Sequence, residues 1–298
     1  MHPDATVAAR LHAERPDVYG DPHAKPEMAI ALSETFRAMV GLRPTEEVRA
    51  HVAAVPELAT LAGTTAEDAT TASVFEAIAR ADSATATPLL AAFVARTTAT
   101  PSSDAAIARL EAEVRRIAVH FPGDPGAFAV FVLNVVDLAR GEAIFLGANV
   151  PHAYLSGDCV ECMAMSDNVV RAGLTPKLRD VDTLLAIVDF TQTGGEDLYR
   201  VSPLSLPGGG FRYEPLDEQV RQFSVDLFTN FSGPLPPVDG PSILLVVRAG
   251  EGASLTFTGE GGEEKTTVQP GSAFFVDGGS PVTAHDVTYL VRAMARQA

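Results

Sequence analysis

Apolar positions along this chain recur with two periods, and the change from one to the other divides it. Near the start, VAARLHAER spaces its apolar residues three and four apart and predicts a short helix. YGDPHAKPEMAIAL then gives a turn-rich entry and an apolar, strand-like segment from Met28 to Leu32. Between Gly41 and Gly126 the helical period dominates, in TEEVRAHVAAVPELATLAG, TTASVFEAIARA, ATPLLAAFVART and SDAAIARLEAEVRRIAVHF. Hydroxyl and acidic residues stand at the starts (Thr45, Glu46 and Glu47; Ser103 and Asp104), and Pro44, Pro56, Pro88, Pro101 and Pro122 punctuate the block. Beyond Gly126 the texture turns to strand. AFAVFVLNVVDL is one long apolar run rich in β-branched residues, and GEAIFLGANVPHAYLSGDCVECMAMSDNVV alternates turn and strand. DVDTLLAIVDF, residues 180–190, predicts one helix. From Val201 onward SILLVVRAG, ASLTFT and TYLVRAMA predict separate strands, with ASLTFT–GEGGEE–KTTVQ as a hairpin. The pattern is that of a mainly β chain carrying an α-helical insertion.

A length of 298 residues allows two or three packed units. Charge narrows the partners. With 22 Lys and Arg against 38 Asp and Glu, the net charge of −16 argues against nucleic acid or an anionic membrane. A small anionic substrate would need a local cationic pocket. The two cysteines, Cys159 and Cys162, are too few for a disulfide scaffold. Their CxxC spacing invites a metal or redox reading, but in a strand positions i and i+3 face opposite ways, so both are expected to be packed thiols. No apolar run approaches the roughly 18 residues of a membrane span, and the first residues carry charge throughout, with no signal-peptide core. The expectation is a soluble, cytoplasmic protein. The glycine clusters LPGGGF and GSAFFVDGG precede no helical pattern and are expected to be β-turns.

Residue types alone leave the chemistry open. His2, Glu27 and His152 are of the kinds that bind zinc, yet they form no local motif. A turn histidine, a surface glutamate and a half-buried strand histidine would look the same. Arg171 and Lys177, in the turn-rich RAGLTPK, could form an anion site or pair with the abundant carboxylates.

Residues 141–177, GEAIFLGANVPHAYLSGDCVECMAMSDNVVRAGLTPK, resemble the signature stretch of class I mannose-6-phosphate isomerases. HPD at 2–4 and KPEMAIAL at 25–32 match a second stretch of that family, and the order of the pieces agrees along the whole chain. The resemblance implies cupin-type jelly-roll barrels: residues 1–40 and 128–200 in a catalytic barrel, 41–127 a helical domain, and 201–298 a C-terminal jelly roll. It implies a zinc-dependent aldose–ketose isomerase that interconverts mannose 6-phosphate and fructose 6-phosphate through a cis-enediol. By match, His2, Glu27 and His152 are ligands of one Zn2+ per chain. The family's glutamine ligand, two residues before the first histidine, has no counterpart. On that basis the barrel is expected to be incomplete at its N-terminus, with unpaired strand edges and a loosely held His2. Arg171 is implied to face the substrate and stabilise enediolate charge, with Lys177 as a phosphate contact and Tyr154 in the same wall. Lys25, Asp167 and Glu161 are acid–base candidates among which the sequence does not choose. The family's histidine before that lysine is Ala24 here, so His23 would have to reach in from one place earlier. The implied partner is a small sugar phosphate, bound by a monomer without nucleic acid or membrane. The alternative is a catalytically impaired, sugar-phosphate-binding or regulatory cupin-like protein.

Overall fold

The computed structural model describes residues 1–259 and 261–296. Asp4 turns the chain straight into helix: its carboxylate accepts the Val7 N–H at 2.9 Å and caps α1 (Ala5–Glu14).

β1 (Glu27–Ala31) is buried at every position, as befits a strand covered on both faces. Two further strands, β2 (Thr35–Leu42) and β3 (Leu133–Ala139), pair with each other. β4 (Ala143–Leu146), β5 (His152–Ser156), β6 (Cys159–Met163) and β7 (Arg200–Val201) complete two antiparallel sheets. One has the order β6-β1-β4-β7, the other β3-β2-β5. Among the described residues no strand lies outside β6. The sheets face each other across a core in which Ala29, Ala31 and Ile144 meet Phe36, Ala38 and Val40. Alanines at these facing positions let the layers approach closely.

The outer face of β2 and β3 carries the helices. These are α2 (Thr45–Ala54), α3 (Pro56–Ala62), α4 (Thr71–Arg80), α5 (Ser83–Ala99) and α6 (Ala105–His120). Met39, Leu133 and Val135 pack there against Phe75, Phe93 and Val114. Thr70, Asp82 and Asp104 each cap a helix start with a side-chain oxygen. Pro88 lies inside α5 rather than at a boundary. The apolar run after Gly126 is not all strand: residues Pro125–Phe131 form a 3-10 helix, and strand begins at Leu133. Pro125 fixes a helix-compatible φ, and the Asp124 carboxylate accepts the Gly126 N–H at 2.8 Å. Later, α7 (Val181–Ile187) starts at its cap Asp180.

The remainder is strand: β8 (Leu204–Ser205), β9 (Phe211–Tyr213), β10 (Ser224–Pro234), β11 (Ser242–Gly259), β12 (Gly262–Thr267), β13 (Ala273–Val276) and β14 (Val282–Met294). They form one sheet ordered β12-β11-β14-β10-β9-β8, with β13 on β11. SILLVVRAG and ASLTFT, expected as two strands, are one. Irregular register between Val246 and Ser254 lets β11 bend instead of breaking. The expected hairpin pairs Thr256 with Lys265. Met28 and Ile30, on the second face of β1, pack against Tyr213, Val225, Leu227 and Val291 of this unit. Beneath that contact Asp226 is fully buried, held by Arg212 Nε at 2.7 Å and Arg292 Nε at 3.0 Å.

Cys159 and Cys162 do face opposite ways. Cys159 packs in the core between the two sheets and Cys162 in the contact with the C-terminal unit. Burial pushes both thiols up to about 11, which leaves them poor nucleophiles and poor ligands.

Candidate metal centre

Three separate segments meet at one end of the core. β1 puts Glu27 on the face it shares with Ala29 and Ala31. β5 pairs His152 with Val40 and Tyr154 with Ala38, so both side chains point across at Glu27. The third segment is the lead-in to α1, which carries His2.

His2 is not loosely held. The Met1 carbonyl accepts the Val170 N–H at 2.9 Å, and the His2 carbonyl accepts the Asn149 N–H at 2.8 Å. The ring is fixed as well: Nδ1 lies 2.7 Å from the Asn168 carbonyl oxygen, and the residue is 3% exposed. Neighbouring backbone, not the chain start alone, decides the order of this segment.

His152 is fixed in the same way, with Nδ1 2.8 Å from the Val150 carbonyl oxygen. A carbonyl cannot donate, so in both rings Nδ1 carries the proton and donates it. In its neutral form each ring then presents a bare lone pair at Nε2. Both lone pairs face one carboxylate oxygen: Glu27 Oε2 is 3.2 Å from His2 Nε2 and 3.3 Å from His152 Nε2. The three ligand atoms lie within 4.8 Å of one another. Burial pushes the His152 imidazole down to about 4, so it is neutral at neutral pH. Burial alone would raise the Glu27 carboxyl. A ring protonated at Nε2 donates to the carboxylate, and such bonds from His152 and His2 outweigh burial and hold the group well below the ordinary carboxylate range.

With both rings neutral, three acceptors aim at one another with no donor between them and repel, and a cation at their centre removes the conflict. Two imidazoles and a carboxylate are the donor set of a divalent transition metal. Separations of 3.2 and 3.3 Å suit ligand atoms each about 2.0–2.2 Å from a common ion. The carbonyls of Asn168 and Val150 orient the ring ligands from behind, as such sites require. The residues present therefore fit a metal cofactor.

Around this cluster the expected residues are unevenly placed. Lys25 is adjacent, its Nζ 3.1 Å from Glu27 Oε1, the oxygen turned away from the imidazoles. Arg171 is half-buried in the wall of a largely apolar cavity that it shares with His152, Met1 and Leu174. Its guanidinium makes one long bond, 3.4 Å to the Val169 carbonyl, and among the described residues no carboxylate pairs with it. Tyr154 packs edge-on against Phe36, and its buried hydroxyl has no hydrogen-bond partner among the described residues. Burial and the charge of nearby Glu161 raise that hydroxyl far above its ordinary range. Glu161 itself is exposed on β6. Lys177 and Asp167 are exposed and are not brought to the cluster; the Asp167 N–H donates to Asp21 at 2.8 Å. His23 does not reach in: its ring is exposed, and its carbonyl accepts from Ser166 and Asn168.

Sequence reasoning missed Asn168. Its carbonyl sets the His2 tautomer, while its amide donates to the carbonyls of Asp21 (2.7 Å) and His23 (3.1 Å). One fully buried side chain thus ties the segment leading to Lys25 and Glu27 to the segment leading to Arg171. Nothing in SDNVVRAGLTPK marks this Asn as buried, so the sequence carried no signal for it.

The family model for the catalytic domain of type I phosphomannose isomerase matches residues 1–45. A probable mannose-6-phosphate isomerase of Echinococcus multilocularis is 40% identical over 307 residues, covering 92% of this chain and 70% of its own length. The mannose-6-phosphate isomerase of Cryptococcus neoformans is 35% identical over 315 residues, with 94% and 71% covered. Among solved structures, a variant of the phosphomannose isomerase from Salmonella typhimurium gives a TM-score of 0.83 at 25% identity, over 100% of this chain and 75% of that one. A zinc-bound mannose 6-phosphate isomerase gives 0.82 over the same shares. The strand-rich, helix-bearing antiparallel architecture is thus the cupin-type fold of these structures.

Proposed function

The chain belongs to the type I phosphomannose isomerases, and from that membership we propose that it interconverts mannose 6-phosphate and fructose 6-phosphate with one zinc ion held by His2, Glu27 and His152. The observation that carries this is the convergence of two Nε2 atoms on one Glu27 oxygen, with both Nδ1 protons already committed to carbonyls.

The reaction moves a proton between adjacent carbons through a cis-enediol, and negative charge develops on the sugar oxygens. A bound divalent metal supplies Lewis-acid polarisation of the carbonyl. The chain's own groups do the rest. Lys25, at 3.1 Å from Glu27 Oε1, is the acid–base candidate that the geometry favours over Asp167 and Glu161, which are exposed. Its ammonium holds a proton at the edge of the site, where a substrate oxygen can exchange it. Arg171, with no carboxylate paired to it among the described residues, faces the cavity and takes the substrate's anionic charge, the phosphate's on binding and the enediolate's as it forms. Lys177, six residues further along the same loop, is left to meet the phosphate at the rim. The apolar walls around Arg171 exclude water and strengthen its field.

Two measurements test the reading: zinc content of the purified protein, and fructose 6-phosphate formation from mannose 6-phosphate. Glu27→Gln is expected to lose zinc and activity together. Lys25→Met is expected to keep zinc while its rate falls by about 100-fold or more. Stoichiometric zinc and undiminished turnover in Glu27→Gln would remove the proposal.

A further inference from the structure

The loop from Ala164 to Asp180, which carries Arg171, contains no helix or strand, so specific bonds must hold it. Just before Arg171 the hold is the Val170 N–H on the Met1 carbonyl, at 2.9 Å. Just after it the hold is Asp124. This residue closes the helical part of the chain, far from the motifs that mark the site. One carboxylate oxygen, Oδ1, accepts the Gly126 N–H at 2.8 Å and caps the 3-10 helix; the other, Oδ2, accepts the Leu174 N–H at 2.8 Å. No cation pairs with Asp124 among the described residues, so these backbone donors are its partners.

Two further observations mark this junction as built. Leu174 has φ 54°, the left-handed region, which is costly for a branched side chain and persists only where surroundings enforce it. The bond to Asp124 is made by this residue. Glycines then let the two backbones touch. A Cβ on Gly173 would stand 2.8 Å from Asp124 Oδ1 and 3.2 Å from the Gly126 Cα, and one on Gly126 would stand 2.9 Å from the same oxygen. Arg171 lies three residues from Leu174, on the wall of the cavity that Leu174, Gly126 and Gly173 also line.

We infer that Asp124 is a positioning residue for substrate binding: it clamps the Arg171 loop to the 3-10 helix, so that the guanidinium is held towards the cavity beside His152. The inference rests on the reading of Arg171 as the group that takes the substrate's anionic charge. It concerns binding and leaves the metal ligands untouched, because no bond of Asp124 reaches His2, Glu27 or His152. Asp124→Asn keeps the shape and one accepting oxygen but cannot accept both N–H groups. Gly173→Ala forces the same junction apart by an independent route.

The test uses the zinc-loaded full chain, with mannose 6-phosphate affinity from calorimetry, zinc content, and thermal midpoint read side by side. Arg171→Ala serves as the reference and Gly195→Ala, where an added Cβ meets nothing within 4 Å, as the control. The expected result is that Asp124→Asn and Gly173→Ala each weaken binding about tenfold, with stoichiometric zinc and a midpoint near that of the Gly195→Ala control. Weakening in Arg171→Ala without weakening in either junction variant overturns the clamp. Equal loss of zinc, midpoint and affinity in both junction variants also overturns it, by showing a general structural role. Unchanged binding in Arg171→Ala sinks the reading of Arg171, and the clamp with it.

Discussion

Two carbonyl oxygens, those of Asn168 and Val150, decide what the histidines can do, because they take the Nδ1 protons and leave Nε2 as the nitrogen able to bind a metal. The first is positioned through the Asn168 side chain, whose amide holds the Asp21 and His23 carbonyls. Asn168→Ala is therefore expected to lower zinc affinity by about 10- to 100-fold although Asn168 is no ligand. Competition with a chelator of known affinity measures this, and wild-type affinity in that variant would refute it. At this scale the sequence was readable where chemistry is contiguous. His152, Tyr154 and Arg171 lie in one stretch, and Glu27 follows Lys25 by two positions. It was unreadable where a partner is backbone. No side chain announces that a carbonyl will orient His2, that Met1 will bond Val170, or that Ala24 leaves His23 facing solvent.

Elements were legible where local signals act alone and illegible where distant contacts override them. Asp104, read as a helix start, caps α6 as capping rules require. The run AFAVFVLNVVDL reads as strand by its branched residues, yet Asp124 and Pro125 force its first part into a 3-10 helix. β11 reads as two strands because Gly250 and Gly252 interrupt it, whereas pairing with β14 on both sides of the irregularity makes it one. His51 shows the same dependence on context. It lies in α2, yet it is 7% exposed, with Nδ1 2.7 Å from the Phe131 carbonyl oxygen. Burial, the largest cause, lowers its pKa, and the Phe131 carbonyl only partly opposes this. Unfolded, the ring titrates near its ordinary value of about 6.5. In the window just below that value the unfolded chain binds more protons, so stability falls as pH falls. Urea midpoints at pH 7 and pH 5 should differ less in His51→Gln than in the wild-type protein; an equal difference would show that His51 does not contribute.

The whole molecule is a stack of layers: helices, the sheet around β2, the core with His2, Glu27 and His152 at one end, the sheet around β1, and the C-terminal unit. β1 is common to two of the contacts, with Glu27 on one face and Met28 on the other. Met28→Ala, at a fully buried position, is expected to cost about 2–5 kcal/mol. It should also loosen zinc, because the strand that carries Glu27 would shift; calorimetric unfolding with and without zinc separates the two effects. An undisturbed zinc affinity in a destabilised protein would show that the C-terminal contact does not tune the site. Whether His2, Glu27 and His152 hold one divalent metal is read by anomalous diffraction at the zinc absorption edge from crystals grown with zinc. One strong peak per chain is expected, about 2.0–2.2 Å from His2 Nε2, His152 Nε2 and a Glu27 oxygen. A peak confined to the surface carboxylates or to Cys159 and Cys162, or no peak between the three residues at full zinc loading, would contradict it.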